Sequence, residues 1–182
     1  SARPGTRGTA EITHVADNLG TDIISWEDLT RHYQPIWSSR ALSELAKPRQ
    51  SPADCELEFT SPLRLVTRGR INYRPTPRDL TAALLRRLNN LANFFGDRAY
   101  PEIVDPLLTA AREVSFTSLL TRASAMRYSA RQKKTVALNG LVGCLTIEQC
   151  PPELQHLFLM GQYLSVGKGS TLGLGAFRAR IT

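Results

Sequence analysis

The sequence predicts an α+β chain: a ferredoxin-like βαββαβ domain with an antiparallel sheet, preceded by an N-terminal extension. Three observations predict it. A strand-period segment from Cys55 is followed by a capped amphipathic helix. Two further strand-like stretches lie at Val114–Thr117 and Leu138–Ile147. A second helix opens at Pro151-Pro152 and returns through a glycine-rich segment to a last alternating strand. Strand, helix, strand, strand, helix, strand is two split βαβ units, which pack as one sheet with both helices on one face.

Residues 1–54 read as an extension and linker, and 55–182 as the domain. Within the extension, Thr9–His14 and Thr21–Ser25 can pair around the turn residues Asp17-Asn18-Leu19-Gly20. Ser25 is placed to cap a helix from Trp26 that Pro35 breaks, and Lys47–Pro52 is a linker by composition. In the domain, Cys55, Leu57 and Phe59 alternate with Glu56, Glu58 and Thr60, the period of a half-buried strand. Leu63 and Leu65 extend it past Ser61-Pro62, where a bulge or an edge position tolerates the proline. Thr76-Pro77-Arg78-Asp79 supplies an N-cap, a first-turn proline and a first-turn acid. Leu80, Leu84, Leu88, Leu91 and Phe95 follow at helical spacing, and Gly96 is placed to end the helix. Arg86 and Arg87 read as its solvated face.

A second helical stretch spans about Pro101–Arg112 before the strand at Val114. Gly140 and Gly143 mark a bulge or a close backbone approach within Leu138–Ile147. After Pro151-Pro152-Glu153, Leu154, Leu157, Phe158 and Gly161 share one helical face. In the final strand, Ala176–Ile181, Phe177, Ala179 and Ile181 alternate with Arg178 and Arg180. One face packs on the core and the other is cationic.

The composition is globular: 182 residues, 42% hydrophobic and 21% charged. No apolar run approaches the roughly 20 residues that span a bilayer, so no membrane partner is expected. Ser1-Ala2-Arg3-Pro4-Gly5 has neither an initiating Met nor a signal-peptide core, so the natural protein is expected to extend further N-terminally. Lys and Arg total 23 against 16 Asp and Glu, a net charge of +7, which favours a polyanion through counterion release. The three cysteines, Cys55, Cys144 and Cys150, are odd in number and scattered. They fit a reducing cytoplasm better than a disulfide framework, and no zinc-ligand spacing accompanies them.

The densest signal is Gly161–Gly175. Gly167, Gly169, Gly173 and Gly175 permit positive φ and close approach of another molecule. Amides exposed in such a loop can meet phosphate oxygens, and Lys168, Ser170 and Thr171 add a charge and two hydroxyls. A nucleotide P-loop is excluded, because Gly167-Lys168 is followed by Gly169 and the segment runs from helix to strand. The dinucleotide GxGxxG pattern also fails on spacing.

Val166–Gly175 resembles the C-terminal glycine-rich signature of CRISPR RNA-processing endoribonucleases, members of the RAMP superfamily. Phe59–Leu65 resembles that family's strand after the linker, Arg127–Gln132 its basic motif, and Leu138–Gly143 the strand that follows. The resemblance implies tandem RRM-like ferredoxin domains that bind a repeat RNA and cleave it without metal or cofactor. The 2′-hydroxyl then attacks the adjacent phosphate, with a general base and acid at hand. It also implies RNA and other CRISPR-associated proteins as partners. The family commonly places a catalytic histidine in an N-terminal domain too large for residues 1–54, so this chain is expected to be a C-terminal portion. Many relatives carry a further histidine where this sequence has Ser165, which cannot titrate near neutrality. His14 and His32 match no motif, and His156 reads as a surface residue. No catalytic residue is assigned.

The RNA-binding candidates are Arg127, Tyr128, Arg131, Lys133 and Lys134, with Gly167–Thr171, Gly173, Gly175, Arg178 and Arg180. Arg178 and Arg180 can instead pair with Glu56 and Glu58 across the sheet. Two alternatives stand beside the endoribonuclease: a non-catalytic RNA-binding subunit of a CRISPR effector complex, and a module for a small anionic metabolite.

Overall fold

Hydrophobic alternation and one proline-opened helix after another set the architecture. The computed structural model describes residues 46–67, 69–95, 101–129 and 133–182. Strand β1 is Ala53–Leu63, with Cys55, Leu57, Phe59 and Leu63 buried. The chain then makes a short hairpin, β2 (Val66–Thr67) and β3 (Arg70–Ile71), which no periodicity announces. Helix α1 runs Pro77–Phe95, and a 3-10 turn at Pro101–Ile103 leads into α2, Val104–Glu113. Strands β4 (Phe116–Ser129) and β5 (Lys134–Cys150) precede α3, Pro152–Gly161, and β6, Phe177–Ile181.

The sheet order is β4-β5-β1-β6, with every neighbour antiparallel. This is the ferredoxin-like arrangement the element order predicts. The helices cover one face, where Leu80, Leu84 and Leu85 of α1, Leu107 and Ala111 of α2, and Leu154, Leu157 and Phe158 of α3 join one core with β1 and β5. The register of β1 on β5 shifts between Phe59 and Leu63, the irregularity that Pro62 requires. Gly140 is needed opposite it, because a Cβ there would lie 2.6 Å from the Leu63 carbonyl oxygen.

The cap of α1 is reciprocal. The Asp79 amide donates to Thr76 Oγ1 at 3.3 Å, and Asp79 Oδ2 accepts from the Thr76 amide at 3.0 Å. Two orphan donors of the first turn are thereby satisfied. The linker is less free than its composition suggests. Buried Gln155 donates to the carbonyls of Ser51 and Cys150, and its Oε1 accepts from the Arg49 amide.

Two strands correct the sequence reading. The second and third strands of the motif reach far beyond Val114–Thr117 and Leu138–Ile147, placing the basic stretch around Arg127 on a hairpin arm. Past Gly140 no strand of β1 lies alongside, so the arm is held by ladder hydrogen bonds and lacks the core-facing alternation that marks a strand in sequence. The predicted hairpin at 9–25, the helix from Trp26 and the stop at Gly96 lie outside the described residues. Among those described, no helix is long and apolar enough to cross a membrane.

Candidate nucleic-acid interface

The glycine-rich segment is a seated wall rather than an open cradle. The Val166 amide donates to the Gly175 carbonyl at 2.9 Å, the Lys168 amide to Arg64 at 2.8 Å, and the Gly175 amide to Pro62 at 3.1 Å. Between these, Ser170–Leu172 forms a 3-10 turn, and the amides of Leu172, Gly173 and Leu174 fold back on Gly169 and Ser170. Gly175 makes the seat possible: its φ is +69°, and a Cβ would collide with the Val166 carbonyl oxygen. Most of the loop's amides are therefore consumed inside the fold. Side chains can also meet an anion.

Those side chains come from an unexpected place. The loop, β2 and the outer flank of α1 enclose an open groove of about 570 Å³. Arg64, Arg78, Arg86, Arg87 and Lys168 line it, and Asp79 is the sole carboxylate among the lining residues. That carboxylate is occupied: its Oδ2 accepts from Thr76 Oγ1 at 2.9 Å and Asn72 Nδ2 at 3.2 Å, besides the Thr76 amide. Arg87 Nε donates to the Leu164 carbonyl at 2.9 Å, which ties α1 to the start of the loop. The Nε atoms of Arg64 and Arg78 are buried with no hydrogen-bond partner. A buried donor left unpaired costs about 1–3 kcal/mol.

The sequence candidates disperse. Lys168 and Ser170 line the groove. Arg127 and Tyr128 stand on β4 opposite Val136 and Thr135, and Lys134 opposite Ser129. Lys133 turns at φ +48°, and Arg131 lies outside the described residues. Leu63 and Leu141 are the last β1–β5 pair, so Lys134 lies roughly 24 Å of strand beyond it. Arg178 and Arg180 point from the sheet face away from the helices. Arg180 pairs with Glu56 at 3.3 Å and Glu58 at 3.1 Å, the pairing that competes with an RNA role. Arg178 sits opposite Glu58 in register and is exposed. His156 is half-buried rather than a surface residue.

Arg64, Arg78, Arg86 and Arg87 were the residues sequence reasoning passed over. The usable signal is that Arg78 and Arg86 stand two turns apart, off the Leu80–Leu84–Leu88 stripe, with Arg87 next in sequence.

Fold and groove define a ferredoxin-like domain with a concentrated cationic site beside its glycine-rich loop. Residues 57–177 match the family model of the CRISPR-associated endoribonuclease Cas6, and the chain belongs to that family. Among solved structures, a Cas6 product complex is 26% identical with a TM-score of 0.51, over 79% of this chain and 58% of that one. A Cas6 substrate mimic complex is 24% identical with a TM-score of 0.50, over 82% and 62%. Thermus thermophilus Cas6 shares the fold at 15% identity and a TM-score of 0.54, over 76% and 57%. The chain thus spans about three-fifths of the length of these proteins. No curated protein matches it.

Proposed function

We propose that this chain is the RNA-binding C-terminal portion of a metal-independent endoribonuclease that processes CRISPR repeat transcripts in the cytoplasm. One observation carries the reading: five cations meet in one groove whose only carboxylate among the described residues is held by a helix cap. Membership of the Cas6 family supplies the polyanion, and the product and substrate mimic complexes of its structural neighbours supply the precedent. The free thiols Cys55, Cys144 and Cys150 suit a reducing compartment.

In this reading residues 55–182 hold the substrate and leave the bond-making groups to another part of the enzyme. Arg64 and Arg78 line the groove and present their guanidinium groups to phosphate oxygens as charge-assisted hydrogen bonds. Lys168 adds a point charge from the loop, and Ser170 a hydroxyl. The arm carrying Arg127, Tyr128, Arg131, Lys133 and Lys134 offers a second contact along the same RNA. Arg178, on the open sheet face, lies apart from both.

A titration with repeat RNA over a salt series tests this. Five phosphate contacts give a slope of log affinity on log salt of about −3.5 for a single strand. A small anionic ligand gives a slope near −1 and is displaced by mononucleotides, so that outcome would replace the RNA reading with the metabolite one. Cleavage in EDTA, once the chain is joined to an upstream catalytic domain, separates the endoribonuclease from a non-catalytic subunit.

A further inference from the structure

Arg122 stands where the groove ends and the hairpin arm begins. It pairs in β4 with Leu141 of β5, which pairs in turn with Leu63, the last β1 residue on that ladder. With neighbouring strands about 4.8 Å apart, Arg122 lies roughly 10 Å across the sheet from Leu63. The next residue, Arg64, is the first in the chain to line the groove. Leu141 is buried in the core, so Arg122 shares the helix side of the sheet with it and not the open face of Arg178 and Arg180.

Tyr73 meets it there. The Arg122 Cζ lies over the Tyr73 ring, 4.3 Å from the centroid, and Tyr73 packs in turn against the core. The turn that presents the ring is itself held: the Asn72 amide donates to the Leu65 carbonyl at 2.7 Å, and the Arg74 amide to Asn72 Oδ1 at 2.9 Å. Arg122 is exposed. Among the described residues it makes no ion pair, unlike Arg180 on the open face. Attraction to a ring face neutralises none of its charge, and it fixes a long side chain that would otherwise lose rotamer freedom on binding. An aliphatic side chain would cover Tyr73 as well, if covering it were the sole task. An unpaired charge between two cationic regions is what a polyanion passing from one to the other requires.

We propose that Arg122, preset over Tyr73, is an RNA-contacting residue that bridges groove and arm, holding a phosphate of the strand as it leaves the groove. The proposal rests on the groove holding RNA, as argued above, and adds a residue and the path the strand takes.

The test uses oligouridylates of about 4 and about 16 nucleotides, the range of single-strand sites on other small folds, each titrated over a salt series. Arg122→Leu should weaken the long strand about three- to tenfold and flatten its salt slope by about 0.7, the share of one phosphate contact. Binding of the short strand, which the groove alone accommodates, should change by less than about twofold. Arg122→Lys should restore the slope. Tyr73→Leu keeps the charge and removes its seat, so the long strand should weaken about two- to fivefold with the slope unchanged. An Arg64→Met/Lys168→Met variant serves as the reference. Loss of binding there with no effect of Arg122→Leu overturns the bridge and leaves the groove intact. Weakening by Arg122→Leu with an unchanged slope reduces Arg122 to a prop for the Tyr73 turn and overturns the contact. Equal weakening of both lengths overturns its place on the path. Full binding by the reference variant overturns the groove itself.

Discussion

The open face of the sheet and the groove beside the glycine loop carry the same kind of cation and treat it in opposite ways. On the open face two cross-strand rows run Thr117–Thr146–Glu56–Arg180 and Leu119–Cys144–Glu58–Arg178. Arg180 lies between two carboxylates, in exposed pairs worth about 0–1 kcal/mol. Neither row holds an aromatic ring, so this face lacks the stacking platform by which an RRM sheet reads RNA. In the groove, Arg64, Arg78, Arg86, Arg87 and Lys168 face one carboxylate, and that one is committed to Thr76 and Asn72. A net charge of +7 names a class of partner. What the cations are already paired with separates the two regions as candidates for that partner.

The largest effect should come from unseating the loop that forms one side of this contrast. Gly175→Ala places a Cβ against the Val166 carbonyl oxygen at φ +69°, so the strand-like seat on Pro62 and Arg64 has to open. We expect a loss of about 2–3 kcal/mol in urea unfolding and collapse of RNA binding. Gly173→Ala is the control, since nothing lies within 4 Å of its Cβ and only the positive φ of 79° is strained. That variant should lose about 1 kcal/mol. Equal losses at the two positions would contradict the seated-wall description.

Removing charge from the two regions tests the contrast directly. Arg64→Met with Lys168→Met should weaken repeat-RNA binding by one to two orders of magnitude near physiological salt and flatten the salt slope by about 1.4. Arg178→Met, on the open face, should change affinity by less than about twofold. If the open-face variant is the more damaging, RNA lies across the sheet and the groove reading fails.

Why the groove escaped the sequence while the fold did not is a matter of range. Cys55, Leu57 and Phe59 alternate because each packs on the helices, and Thr76 to Asp79 cap each other across a single turn. Both are local causes, and both are written in consecutive residues. The groove joins Arg64 at the end of β1, Arg78 to Arg87 on α1 and Lys168 in the loop, and only the tertiary fold makes them neighbours. Lys168 drew notice in the sequence because the glycines around it point to a close approach. Arg86 and Arg87 did not, since an exposed helix face looks the same whether water or a partner covers it. The long arm was missed for a related reason: the stretch from Thr121 to Ser129 has no core to alternate against.

A gain of function should sharpen the comparison from the other side. Glu56→Gln with Glu58→Gln releases Arg180 and leaves the open face with two unopposed arginines. At low salt this should raise RNA affinity by no more than about threefold, an increase that disappears by about 0.15 M as screening sets in. The stability change should stay within about 1 kcal/mol, since Arg180 is 57% exposed. A larger, salt-resistant gain would mean that the glutamates had been masking a true binding surface.

The smallest effect reads the electrostatics of the open face without any RNA. Cys144 stands in the second row opposite Glu58, and burial together with Glu56 and Glu58 holds its thiol above the ordinary value while Arg180 draws it down. Since the thiolate is the reacting form, Glu58→Gln should lower that pKa and speed alkylation by iodoacetamide at pH 8. Arg180→Ala should raise it and slow the same reaction. Each change should be about two- to threefold, because burial is the leading cause and an exposed charge is screened. The signal is clean: Cys55 and Cys150 are buried, and the Cys55 thiol is pushed further up by its hydrogen bond to Cys150. Rates that rank Arg180→Ala above wild type and wild type above Glu58→Gln would show that these charges do not act on Cys144 as their positions require.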